Sequence, residues 1–198
     1  MQKYMKRLWS VLVPFCCCLV AACTSYESED IYRVRIFDIV GDVSGITAVG
    51  ANFGFNMSVT TALTGSGASI KLPKRILANE LFDISSFFGE FSDAPDAKWS
   101  EVFFHGYKDG NPVGSLSEAA SATQEKTIIQ YIYVDRNVRI MGDVLDHGFG
   151  YDVDLDLRKG WNRISVRTVF YEGAPRLDIY RNEVPASVEW RFERYEVH

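Results

Sequence analysis

The fold class of this chain is decided by residues 151–167, which read YDVDLDLRKGWNRISVR. Asp152, Asp154 and Asp156 alternate with valine and leucine. A period of two places the charged and the apolar side chains on opposite faces of a β-strand. The same alternation resumes after residue 160, with isoleucine and valine between arginines. The stretch therefore predicts two half-buried strands.

These two strands are expected to form a hairpin with Lys159-Gly160 as its two-residue loop. In that register Asp156 faces Arg163 and Asp152 faces Arg167, while the apolar side chains meet on the other face. A slip of one residue would bring aspartate and arginine into the core. Charge pairing and apolar pairing therefore agree on one register.

Further strands are predicted wherever the chain is alternating, β-branched or aromatic. They cover residues 31–39, 52–59, 102–107, 128–140, 162–171 and 188–193. Turns are expected at residues 65–67, 109–112 and 142–143, and a loop at 115–124. Residues 74–88 carry apolar side chains at helical intervals and predict one short helix. The predicted fold is all-β, a single antiparallel β-sandwich of the Ig-like or transthyretin-like kind.

The first 23 residues read as a bacterial lipoprotein signal. Basic residues at positions 3, 6 and 7 precede an apolar stretch at 8–20, which is too short for a membrane span. Residues 19–23 resemble the lipobox of bacterial lipoproteins. The resemblance implies that residues 1–22 are a removed signal peptide and that Cys23 is the lipid attachment site. An ordinary secretory signal cut after Ala22 is the alternative.

Residues 23–30 are expected to be the lipidated N-terminus with an acidic linker, and residues 31–198 the β-sandwich domain. Thr24 stands where an inner-membrane retention signal has aspartate, and residues 25–30 resemble acidic export tags of surface lipoproteins in Bacteroidota. We therefore expect a lipid-anchored protein of the outer membrane that faces the periplasm or the cell surface. A solvated linker is the alternative for residues 25–30.

The charge balance limits the class of partner. The chain has 21 basic and 26 acidic residues. Three basic residues and no acidic one lie in the signal, so residues 23–198 have 18 against 26 and a formal charge of −8. A net negative surface without a block of lysine and arginine argues against nucleic acid and against a polybasic membrane contact. The bilayer is expected as a partner through acylated Cys23.

A resemblance covers about half of the chain. Residues 131–142, YIYVDRNVRIMG, and 155–162, LDLRKGWN, resemble a pattern that recurs in uncharacterised lipoproteins of Bacteroidota. Asp109-Gly110 and Leu72-Pro73 correspond to a turn and a Leu-Pro step in the same pattern. The resemblance implies a β-sandwich lipoprotein and supplies no catalytic residue.

Candidate reactive residues are few. All four cysteines lie at positions 16–23, so residues 24–198 have no thiolate, disulfide or zinc–thiolate site. The aspartate row fails as a calcium loop because Leu157 and Arg163 stand where glycine and glutamate are needed. No metal site, cofactor or catalytic residue is predicted. His147 beside Asp146 is the best candidate for a general base, with a surface turn as the alternative, and His105 is expected to be structural.

Aromatic side chains offer a binding surface, because a flat ring matches the C–H face of a pyranose. Trp161 and Trp99 are the candidate ligand-binding residues, and packing in the core is the alternative for both. Trp161 falls on the polar face of its strand in the predicted hairpin. We expect a non-catalytic binding or adhesion module, with a glycan or a surface protein as the candidate partner. The alternatives are a structural accessory of an outer-membrane or fimbrial assembly and, third, a hydrolase with a carboxylate pair.

Overall fold

The computed structural model describes residues 31–65, 67–122, 125–146, 149–170 and 176–196. The strands in these ranges are β1 Ile31–Ile36, β2 Ala48–Phe53, β3 Met57–Ala62, β4 Ala68–Pro73, β5 Phe82–Asp83, β6 Lys98–Lys108, β7 Asn111–Ala122, β8 Glu125–Val134, β9 Val138–Asp146, β10 Phe149–Leu157, β11 Gly160–Val169, β12 Arg176–Arg181 and β13 Glu189–Arg194. The helical elements in them are α1 Ser85–Phe88 and two 3-10 turns, Ala78–Glu80 and Gly89–Phe91. The predicted all-β class with one short helix within residues 74–88 is confirmed. No helix in the described ranges is long and apolar enough to span a membrane.

The strands form one large sheet and one separate pair. The large sheet has the order β3-β2-β6-β7-β8-β11-β12-β10-β9, with β13 beside β7 and β5 beside β6. β1 and β4 form the separate antiparallel pair. β10 and β12 are parallel. The sandwich-like arrangement agrees with the prediction, and this parallel pair is its departure from a wholly antiparallel sheet.

The first core lies between the β1–β4 pair and the large sheet. Val34 and Ile36 of β1 and the alternate residues of β4 point into it, and Phe104 of β6 and Trp190 of β13 meet them. Each fully buried side chain of this size contributes roughly 1.5–3 kcal/mol relative to an exposed one. The alternation of each strand therefore decides which of its faces turns towards the core.

The second core lies on the other side of β8. The odd-numbered residues 129–133 of β8 pack in the first core, whereas Ile132 and Val134 pack in the second against Leu155 and Ile164. A strand buried on both faces reads as a continuous apolar run, and residues 131–134, YIYV, show this pattern. β8 thus supplies side chains to both cores.

The predicted hairpin between β10 and β11 is wrong, although both strands form. β12 lies between them in the sheet. Asp156 is opposite Arg139 of β9, and Arg163 is opposite Tyr131 of β8. Residues 158–159 join β10 to β11, although the two strands are not neighbours in the sheet. Alternation defines the face of a strand, but several strands with arginines could have been its neighbour.

Residues 52–59 form two strands rather than the single strand predicted. Gly54 has φ +62, a left-handed conformation, and residues 54–56 turn the chain from β2 into β3. Asn52 consequently pairs with Ser58. Phe55 lies in the turn and is exposed instead of continuing the core face of the strand. Residues 128–140 likewise divide into β8 and β9.

Two segments predicted to be irregular are strands. Residues 115–122 belong to β7, and Gly142-Asp143 lies within β9. A Cβ at Gly142 would overlap the Phe91 ring, so this glycine allows a close approach rather than a turn. The turn at Asp109-Gly110 is confirmed, because both residues have positive φ and join β6 to β7 as a type I′ turn does.

Candidate binding face

β6 exposes aromatic side chains on the face opposite to the first core. Val102 and Phe104 point into that core, whereas Phe103 is 57 % exposed and shares the outer face with His105 and Tyr107. The outer face of an antiparallel sheet usually carries polar side chains. A row of exposed or half-buried rings therefore marks a candidate binding surface.

Phe103 and Tyr107 of this row form one wall of a cleft of about 400 Å³. Asn52 of β2 lies directly opposite Phe103, and Ser58 of β3 lies opposite Asn52. The turn at residues 54–56 lines one end, and Tyr107 lines the other. This surface is the aromatic cleft, whose main lining residues are Asn52, Phe55, Asn56, Ser58, Phe103 and Tyr107.

Gly50 allows Tyr107 to take its position. It shares a face of β2 with Asn52, and a Cβ there would stand 2.7 Å from Tyr107 Cε2 and 2.9 Å from the Thr60 methyl. Those distances are too short for a real Cβ atom, so the tyrosine ring rests against bare glycine backbone. The absence of a side chain at residue 50 therefore shapes this end of the cleft.

Polar groups of the cleft are available to a ligand. Neither the Asn52 carboxamide nor the Ser58 hydroxyl forms a hydrogen bond with another residue of the described ranges. The turn beside them is held in place, since the Gly54 N–H donates to Ser100 Oγ at 2.7 Å and the Asn56 N–H donates to Glu80 at 3.2 Å. A carboxamide and a hydroxyl each donate and accept, which suits the hydroxyl groups of a sugar.

Aromatic contacts continue from the turn towards the second core. Phe55 contacts Phe82 with ring centroids 4.3 Å apart and the rings tilted by 48°, and the Phe87 ring centroid lies 5.2 Å from that of Trp99. The three phenylalanines are exposed. Trp99, a predicted ligand-binding residue, is 9 % exposed and packs in the second core. Its Nε1 has no hydrogen-bond partner among the described residues.

Trp161, the other predicted ligand-binding residue, is half-buried. Its Nε1–H donates to the Pro73 carbonyl at 2.7 Å, and its ring contacts Tyr32, Phe53 and Tyr133. The expectation of an outward-facing ring depended on the hairpin register, and the ring instead packs against the first core. The structure places the two tryptophans at different cores, and a role for either in ligand binding stays a prediction.

The sequence reasoning missed Phe103, Tyr107 and Asn52. The signal was present in residues 102–107, VFFHGY, where large apolar or aromatic side chains occupy both parities. Such a strand is either buried on both faces or exposes one aromatic face. Only the position of the neighbouring layer decides between the two cases. In β6 both occur, because the second core covers Trp99 and leaves Phe103 open.

Glu101 lies on the same face of β6, between Trp99 and Phe103. Burial raises the pKa of Glu101 to about 7. The pKa of Tyr180, raised mainly by burial and then by Asp178, is raised further by Glu101. Glu101 thus marks the boundary between the second core and the open cleft. One carboxyl group does not make the pair that glycoside hydrolysis uses.

The aspartate row of β10 is neutralised by arginines, but not by those of the predicted hairpin. Asp152 pairs with Arg181 at 2.7 Å, and Asp154 pairs with Arg139 at 3.0 Å. Arg163 instead binds Glu118, which is buried. Within the described ranges, no group of three potential metal ligands occurs.

His105 has a structural partner. Its Nδ1 lies 2.7 Å from the Tyr195 hydroxyl, and burial lowers the pKa of this imidazole. His147 and Cys23 lie outside the described residues, so the roles suggested for them stay predictions. The chain matches no protein-family model, no curated protein and no solved structure.

Proposed function

We propose that the protein is a non-catalytic binding module that takes a carbohydrate in the aromatic cleft. Cys23 is the proposed lipid anchor, and the outer membrane is the proposed location, with the module at the cell surface or facing the periplasm. The anchor and the location rest on the sequence pattern of residues 1–30. One observation carries the binding proposal: the exposed Phe103 ring lies directly opposite the Asn52 carboxamide.

This pairing suits the two surfaces of a pyranose. The C–H face of the sugar covers an aromatic ring and leaves water, while the hydroxyl groups at its edge exchange hydrogen bonds with a carboxamide or a hydroxyl. Pockets that hold small ligands have volumes of about 300–1,000 Å³. The cleft, at about 400 Å³, falls at the lower end of that range.

The lining of the cleft supports binding rather than hydrolysis. Its side chains are aromatic, amide, hydroxyl and thioether groups, with no carboxylate and no imidazole among the described lining residues. Glycoside hydrolysis usually needs two carboxyl groups that flank the scissile bond. Glu101 is the nearest carboxyl group along β6 and stands beside the second core.

A glycan array followed by titration calorimetry tests the proposal. The array is probed with residues 24–198, and the best glycan is titrated against the unchanged protein, Phe103→Ala and Phe37→Ala. Phe37 is the matched control, since it is 53 % exposed and lies outside the cleft. We expect Phe103→Ala to weaken binding at least about tenfold, which corresponds to 1.4 kcal/mol. Equal affinities of all three proteins would place the ligand elsewhere.

The edge of β9 supports a second candidate function, an accessory role in an outer-membrane or fimbrial assembly. β9 pairs with β10 alone among the described strands, and Ser92 and Asp93 cover its free edge at residues 139 and 140. Met141 and Val144 beyond them are exposed. An uncovered strand edge can add a strand from another chain.

Sedimentation of the unchanged protein and of Met141→Lys tests this second function. Charge on an edge strand opposes edge-to-edge pairing. Concentration-dependent oligomers that disappear in the variant would support an assembly role. Monomers at all concentrations, together with glycan binding, would favour the binding module.

A further inference from the structure

The outer face of the β1–β4 pair carries a cluster of positive charge. Arg33 lies opposite Lys71 and Arg35 lies opposite Ser69, while the alternate residues of both strands are buried in the first core. Two more basic residues follow β4 directly. The basic face consists of the exposed residues Arg33, Arg35 and Lys71 on the two strands, together with the exposed residues Lys74 and Arg75 that follow β4.

Carboxylates neutralise the other arginines of the described ranges but not those of the basic face. Each of those others forms an ion pair with aspartate or glutamate. Within the same ranges Arg33, Arg35 and Arg75 form none. The basic face is not visible as a block of basic residues in the sequence, because residues 33–35 and 71–75 are far apart in the chain and meet only through the β1–β4 pairing.

We propose that the basic face rests on an anionic lipid bilayer, an inference that depends on the Cys23 anchor proposed above. Ile31 lies eight residues after Cys23, and an extended chain spans at most about 3.6 Å per residue, or roughly 29 Å in all. Arg33 follows two residues later. The anchor therefore holds the basic face within reach of the lipid headgroups.

Charge complementarity favours this occupant. Phosphate-bearing headgroups attract lysine and arginine close to the membrane surface, and the attraction decays over a Debye length of about 8 Å at physiological salt. Residues 23–198 are otherwise net negative, so an anionic bilayer repels most of the molecule and attracts this face. This attraction of the basic face and repulsion of the remaining surface together favour one orientation of the tethered protein on the bilayer.

That orientation directs the aromatic cleft away from the membrane. The β1–β4 pair covers the first core from one side, and β2 and β6 cover it from the other. Asn52 and Phe103 lie on the side of β2 and β6 opposite to that core. The basic face and the aromatic cleft therefore point in opposite directions, which leaves the cleft open to a ligand in solution.

Residues 27, 29 and 30 are acidic and immediately precede β1, so they are the competing occupant of the basic face. The test uses the lipidated chain, after its intact mass has shown acyl chains on Cys23, in vesicles of phosphatidylcholine with or without phosphatidylglycerol. Ser69→Cys places a thiol on the basic face, and Ser58→Cys places one in the cleft. Both serines are exposed, and the sequence has no other cysteine after Cys23.

The readout is the rate at which each thiol reacts with a neutral maleimide. We expect Ser69→Cys to react at least about fivefold more slowly on the anionic vesicles, and Ser58→Cys to react equally on both. Reversing the charge of Arg33, Arg35 and Lys71 to glutamate should abolish the difference. The matched reversal of Lys108, Lys126 and Lys159 should preserve it.

Equal Ser69→Cys rates on the two kinds of vesicle would overturn the inference. Slow reaction of Ser69→Cys on both kinds of vesicle would show that the acidic residues cover the basic face. Protection of the thiol by inorganic phosphate without vesicles would show a small-anion site. Either result would also overturn the inference of a membrane contact. If the intact mass shows no acyl chain on Cys23, both the proposed anchor and this inference fail. Glycan titration of the same proteins separates the two proposals. If no glycan binds while anionic vesicles still protect Ser69→Cys, the carbohydrate proposal fails and the membrane contact stands.

Discussion

Phe103 of β6 and Asn52 of β2 lie directly opposite each other on the face of the sheet that turns away from the first core. Residues 51 and 53 of β2 and residues 102 and 104 of β6, which flank this pair, are buried in that core. The pair therefore owes its direction to the packing of its neighbours. The sheet therefore positions an aromatic ring beside an unpaired carboxamide.

Replacing Phe103 should separate binding from stability. The side chain is largely exposed, so Phe103→Ala should change the free energy of unfolding by less than about 0.5 kcal/mol. The same variant should weaken glycan binding about tenfold, because the stacked ring is lost. Urea denaturation and titration of one preparation measure both quantities. A large loss of stability would show that the ring is part of the packing.

Gly50→Ala should disturb the cleft. The new methyl group would stand 2.7 Å from Tyr107 Cε2, so the tyrosine ring must move. We expect a loss of about 1–3 kcal/mol in stability from overpacking, with weaker ligand binding. Gly65→Ala is the control, since no atom lies within 4 Å of a Cβ at that residue. If the tyrosine fluorescence and the affinity of Gly50→Ala match those of the control, Tyr107 does not shape the site.

Glu101 should make stability depend on pH. Burial raises its pKa to about 7 in the folded state, against an ordinary value of 4.5. The folded protein therefore binds more protons than the unfolded chain between these two values, and its stability falls as pH rises from 4.5 to 7. The one-site linkage corresponds to a fall of up to about 3 kcal/mol.

Glu101→Gln should remove that fall, because glutamine stays neutral at every pH. Urea unfolding at several pH values from 4.5 to 8 measures the slope. Glu193→Gln is the control variant, as Glu193 is an exposed side chain on β13. A slope that persists unchanged in Glu101→Gln would assign the pH dependence to other groups.

The ion pair of Glu118 and Arg163 should matter more than an exposed one. Glu118 is buried and also accepts a hydrogen bond from the Tyr131 hydroxyl at 2.8 Å. Glu118→Ala leaves that hydroxyl unpaired, and we expect the free energy of unfolding to fall by about 2–3 kcal/mol. The loss is smaller than for a fully buried ion pair, because water screens the charge of the partly exposed Arg163. Asp154→Ala breaks the exposed pair with Arg139 and should change stability by less than about 1 kcal/mol. Chemical denaturation of both variants makes the comparison, and equal losses would contradict the role of burial.

Local patterns predicted the strands more reliably than their partners. The alternation of Trp190 and Phe192 with charged residues predicted β13, whose two aromatic side chains are buried. The sequence Gly142-Asp143 predicts a turn but lies within β9, because a glycine that makes room for a neighbouring ring looks the same in sequence as one that bends the chain. The candidate site shows the same division, as Trp99 and Trp161 pack at the cores and the exposed ring belongs to Phe103.

Local sequence was sufficient to predict the all-β class, the apolar face of strands such as β13, and the chain reversal at Asp109-Gly110. These properties depend on side chains a few residues apart, which a period of two or a positive φ expresses directly. Only the tertiary structure decided that β12 separates β10 from β11, that Asn52 meets Phe103, and that Arg33 meets Lys71. Pairing between distant strands depends on how all the apolar faces are buried together, and no single stretch of sequence contains that information.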